Sequence, residues 1–106
     1  MFKTILMPEL ERLMKKSPIQ IIDVREVDEY TLGHISGAML CPVSEFMNHL
    51  PKLSKNKQYY VVCHSGSRSQ AVCDFLGKQG YQVTNVMGGM STYRGPKVTG
   101  LEYLKK

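Results

Sequence analysis

Gln58–Gly80 reads QYYVVCHSGSRSQAVCDFLGKQG. The run Gln58 to Val62 is too short for a helix and rich in aromatic and branched residues, so it is expected to be a strand. It ends at Cys63. A small polar loop follows (His64, Ser65, Gly66, Ser67), and the segment from Ser67 or Arg68 to Gln79 has helical character until Gly80 stops it. Strand, tight loop and helix in succession are the repeating unit of an α/β fold.

The same unit recurs outward from this stretch. Ile19 to Val24 is a short branched apolar run, hence a buried strand, and Glu26 to Leu32 is expected as a short helix ending at Gly33. Ala38 to Val43 reads as another strand closed by Pro42, and Ser44 to Leu50 as a helix with Ser44 at its cap. Gln82 to Met87 is a further strand. Gly88-Gly89 then turns the chain into a short helix near Ser91 to Arg94. A first helix spans Pro8 to Lys16, with proline at its start, acids early and lysines late. The expected architecture is a compact α/β domain of three layers, a central and mostly parallel sheet flanked by helices.

In such sheets ligands bind beyond the C-terminal ends of the strands. Three segments sit there: Asp23-Val24-Arg25-Glu26, Cys63 to Arg68, and Gly88-Gly89-Met90. The cysteine loop carries the clearest chemistry. An ordinary thiol, with a pKa near 8.5, is only a few per cent thiolate at neutral pH. Here the loop leads into a helix whose first amides present positive potential, and Arg68 adds a permanent charge. Gly66 lets successive N–H groups turn inward, and Ser65 and Ser67 supply hydroxyl donors. The loop reads as an anion cradle with a nucleophilic Cys63 as its floor. His64 is expected to line the mouth of the pocket. Cys41, within an apolar run, and Cys73, within AVCDFL, read as packing residues.

Composition sets the limits. The chain has 106 residues, 42% apolar and 22% charged, with a net charge of +5 and a pI of about 9.2. The lysines are scattered, so a solvated surface is expected and no nucleic-acid interface. No run approaches the ~18 apolar residues of a membrane span, and the N-terminus lacks the pattern of a signal peptide. A cytoplasmic protein with reduced thiols is therefore expected. Three cysteines without C-x-x-C or zinc spacing point to no disulfide framework, no metal and no cofactor. The last residues, 96–106, read as a loose basic tail.

From about Ile5 to Gly95 the chain resembles the single-domain rhodanese-like sulfurtransferases. Three stretches carry the likeness: IIDVREVDEYTLGHISGAMLCP, YYVVCHSGSRSQAVCDFLGKQGY and VTNVMGGMSTYRG. The resemblance implies a ping-pong reaction of the thiosulfate:cyanide sulfurtransferase type. Cys63 would take a sulfane sulfur from thiosulfate or a persulfide and pass it to cyanide, a small thiol or a protein acceptor. It also implies that the backbone from His64 to Arg68 cradles the persulfide, with Arg68 closing the loop. Asp23 and Arg25 become structural supports, as do His34, Gly37 and Ala38 of the GHI-GA element. Tyr93 stands where many members carry tryptophan.

Two other readings lie nearby. Phosphatase and arsenate-reductase loops place five residues between cysteine and arginine, where this chain has four. A rhodanese-like binding or regulatory module would dispense with the cysteine, which is retained here.

Overall fold

A computed structural model of the chain describes residues 2–101. Five strands form one sheet in the order β1-β5-β4-β2-β3, all paired in parallel. They are β1 (Lys3–Leu6), β2 (Gln20–Asp23), β3 (Met39–Leu40), β4 (Gln58–Val62) and β5 (Gln82–Met87). The helices are α1 (Met7–Lys16), α2 (Val27–Leu32), α3 (Phe46–His49), α4 (Ser67–Lys78) and α5 (Gly89–Thr92).

Side chains alternate across each central strand, so consecutive apolar residues feed two different cores. Ile22, Val61 and Val83 point to one side, where Phe46 of α3 and Val72, Cys73 and Leu76 of α4 cover them. Ile21, Val62 and Val86 point to the other, beneath Met7 and Leu10 of α1, Tyr30 of α2 and Met90 of α5. The three-layer arrangement follows from this alternation.

Departures from the expected elements have local causes. The edge strand β1 is absent from the sequence reading because three of its four residues are exposed, leaving no alternation to read. It exists through pairing with β5, Lys3 opposite Thr84 and Leu6 opposite Met87. Strand β3 is only Met39–Leu40, shorter than the expected Ala38–Val43. Pro42 has no N–H to donate, and the chain turns into a 3-10 segment, Val43–Glu45. Ser44 therefore caps nothing; its hydroxyl donates to Glu26 Oε1 at 2.7 Å. The last helix starts earlier than expected, at Gly89 rather than near Ser91.

The C-terminal segment also differs from a loose tail. His34 and Val98 exchange two backbone hydrogen bonds of 2.9 Å, and the Gly100 amide donates to the Thr31 carbonyl at 2.8 Å. Residues 96–101 therefore lie across the end of α2. The rest of the expected tail, 102–106, is outside the described residues.

Candidate active site

Loop Cys63–Gly66 connects β4 to α4 at the C-terminal edge of the sheet. Cys63 is fully buried. Its Sγ accepts hydrogen bonds from the amides of Gly66, at 3.0 Å, and Ser69, at 3.4 Å. The Ser69 hydroxyl lies 3.4 Å from the same sulfur. Gly66 has φ +120°, and a Cβ there would press on Met87 Sδ at 3.1 Å, so glycine suits this bend on both counts.

Burial alone would raise the Cys63 pKa. The Ser69 hydroxyl, then the amides of Ser69, Gly66 and Ser65, outweigh it, and the thiol is held below its ordinary value. Cys41 and Cys73 have burial without such donors. Their pKa values are pushed up to about 11 and about 12, so neither competes as a nucleophile.

The turn after β5 holds the loop from outside. Gly88 N donates to Ser65 O at 2.9 Å, and Met90 N and Ser91 N donate to Cys63 O and His64 O at 2.8 Å each. Three consecutive loop carbonyls are thereby fixed. The amides of Ser65 and Gly66, in the same stretch of loop, are the ones turned toward the sulfur.

On the β2 side, Arg25 clamps Asp23 through Nε to Oδ1 at 3.0 Å and Nη2 to Oδ2 at 2.9 Å, both residues being buried. Arg25 Nη2 also donates to Gly33 O at 2.9 Å, tying the start of α2 to its end. Helix α2 presents Glu29, whose two oxygens receive Arg68 Nη1 at 2.7 Å and Nη2 at 2.9 Å. The Arg68 hydrogen bond holds the Glu29 carboxyl down to about 2. An open cleft of about 270 Å³ lies alongside, lined by Arg25, Glu29, Leu32, Gly33, His64, Met90 and Lys97.

Residues 6–95 match the family described as "Rhodanese-like domain". The chain belongs to the rhodanese-like family. The thiosulfate sulfurtransferase GlpE of Coxiella burnetii is 35% identical over 95 residues, 89% of each protein. A rhodanese-like domain protein of Staphylococcus aureus has a solved structure with 38% identity and a TM-score of 0.82, covering 90% of this chain and 93% of that one. The Bacillus subtilis protein YrkF, provisionally named as a sulfur carrier, is 38% identical over 78 residues. That match takes in 73% of this chain and only 42% of YrkF.

Within this rhodanese-like loop the expected residues divide. Cys63 and the Gly66 amide meet as anticipated, and His64 is exposed on the cleft. The hydroxyls of Ser65 and Ser67 have no hydrogen bond to the sulfur, and both residues are exposed. Arg68 is the larger correction. Its fork is taken by Glu29, and its attraction to an ionised Cys63 is a lesser influence on it. Asp23 and Arg25, read as supports, form a buried ion pair. His34 is buried as well, stacked on the Tyr30 ring with centroids 3.6 Å apart.

Ser69 and Asn85 were missed. The Ser69 hydroxyl touches Asn85 Oδ1 as well as Cys63, and Asn85 is fully buried in β5. A polar side chain inside the apolar run VTNVM was the available signal. Ser69→Ala removes the hydroxyl but keeps the amide. The midpoint for alkylation of Cys63 against pH is expected to rise, because the Ser69 hydroxyl is one of the groups that hold the thiol below its ordinary value. An unchanged midpoint would leave thiolate stabilisation to the backbone alone.

Proposed function

We propose that this rhodanese-like chain is a sulfurtransferase working through a Cys63 persulfide. The observation that supports it is the convergence of the Gly66 and Ser69 amides on one buried sulfur, whose thiol in turn donates to Ser69 Oγ. The Cys63 thiolate attacks the outer sulfur of a donor, forming Sγ–S as the donor bond breaks. Thiosulfate then departs as sulfite, and a persulfide departs as its thiol. Cyanide or an acceptor thiol next attacks the outer sulfur, and Cys63 leaves as the thiolate it was.

Burial of Sγ favours donors whose transferable sulfur is terminal and unhindered. The amides close directly on Sγ, so they are aimed at a single sulfur position. A phosphoryl group would need them spread around a larger tetrahedron, which disfavours the phosphatase reading. With Arg68 engaged by Glu29, thiosulfate meets a less positive loop than the sequence implies, and persulfide donors gain in standing.

Exposure to a donor should add the mass of one sulfur to the peptide carrying Cys63, reversed by cyanide or a thiol. Thiosulfate and an alkyl persulfide are the donors to compare. No gain with either, or Cys63-dependent hydrolysis of an aryl phosphate, would overturn the assignment.

A further inference from the structure

The cleft beside the cysteine loop is lined by four ionisable side chains, Arg25, Glu29, His64 and Lys97, and two of them are already committed. Arg25 is held by Asp23 and Glu29 by Arg68. His64 and Lys97 remain, and neither has an ion-pair or side-chain hydrogen-bond partner among the described residues. Lys97 lies outside the span of the family match, residues 6–95. It reaches the cleft because the His34–Val98 pairing lays residues 96–101 across the end of α2.

Its stem is positioned as well. A Cβ built on Gly33 would lie 3.3 Å from Lys97 Cδ, so the aliphatic chain of this exposed cleft residue rests on the helix end. The same cleft has an apolar wall. Met90 is buried in its floor, and Leu32 is 83% exposed at its rim, an unusual position for a large apolar side chain. Thiosulfate has five heavy atoms. At no more than the ~30 Å³ of a water molecule each, it would leave much of the 270 Å³ unfilled.

We infer that this cleft is a donor subsite for small alkyl persulfides carrying a carboxylate, with Lys97 binding the carboxylate and Leu32 and Met90 flanking the alkyl stem. The inference rests on the sulfurtransferase reading. The Cys63 thiolate attacks the terminal sulfur of R–S–SH. The Sγ–S bond forms, the donor S–S bond breaks, and R–S⁻ leaves and takes a proton from water. No oxidant or reductant is needed, since the sulfane sulfur keeps its oxidation state.

The test compares 3-persulfidopropionate with its uncharged amide, reading Cys63 persulfide formation by mass in the full chain. The wild type should favour the carboxylate donor about tenfold in kcat/KM. Lys97→Met should bring that ratio near one, and Lys97→Arg should retain most of it. A ratio unchanged in Lys97→Met, or no preference in the wild type, would overturn the subsite while sulfur transfer itself stood. A wild type that gains sulfur from neither of these donors but does from thiosulfate overturns the subsite alone. One that gains sulfur from no donor removes the sulfurtransferase reading and the subsite together.

Discussion

A Cys63→Ser protein is expected to fold normally and to gain no sulfur from any donor, a loss of at least about a thousandfold. The fold should persist because the hydroxyl keeps a hydrogen-bonding atom facing the amides of Gly66 and Ser69, and serine is nearly isosteric with cysteine. Activity should vanish because a hydroxyl ionises far above neutral pH and forms no persulfide.

The other cysteines cannot take over. With pKa values of about 11 and about 12, Cys41 and Cys73 are ionised at pH 7 to roughly one part in 10⁴ and one in 10⁵. Both are buried, without the donors that surround Cys63. Residual transfer above a few per cent, with sulfur mapped to either residue, would move the chemistry away from the cradle. The wild type carries a related sign. Its Cys63 pKa is lowered, so alkylation should persist to lower pH than for a free thiol and fall only as acid protonates the sulfur.

How much of this was readable beforehand depended on whether a feature was local. The strand–loop–helix unit at Cys63 was legible because each part has its own punctuation: a branched run, a small polar loop and a terminating glycine. The buried strands Gln20–Asp23 and Gln82–Met87 were legible for the same reason. What failed was decided across the sheet. Strand β1 depends on β5 for its existence, and the Lys97 segment depends on a bridge to His34.

The site shows the same division. Cys63 could be chosen from its neighbours in sequence, but the partner of Arg68 could not. Glu29 lies 39 positions away and arrives only when α2 packs over the loop. An arginine at a loop's end reads as a charge for the substrate until the carboxylate opposite it is known. Ser69 and Asn85 escaped for a related reason. One lies just past the loop, the other on a neighbouring strand, and only the parallel pairing of β4 with β5 brings them together.

Gly89→Ala is expected to damage both fold and chemistry, far beyond what a single methyl group usually does. A Cβ at Gly89 would collide with Cys63 O and lie 2.7 Å from His64 O. Both contacts are backbone, so no side-chain rotation relieves them. The φ of +52° adds ~1–2 kcal/mol of its own for any L residue. The loop or the turn must move, which endangers the bonds that Gly88, Met90 and Ser91 donate to the three loop carbonyls. At ~0.5–1.5 kcal/mol each, these bring the expected loss to about 2.5–6.5 kcal/mol of the ~5–15 that a domain possesses. A fall of about 10–30 °C in Tm corresponds to that range. Sulfur transfer should drop by more than tenfold even where the protein is still folded, because the freed carbonyls no longer hold the amides on Sγ.

Gly37→Ala separates the two causes. Gly37 also has a positive φ, +86°, but a Cβ there meets nothing within 4 Å. It should show the conformational penalty alone, about 1–2 kcal/mol, with sulfur transfer intact. If Gly89→Ala costs no more than Gly37→Ala, the turn after β5 is not what aims the cradle, and the loop's geometry must come from α4 and Gly66.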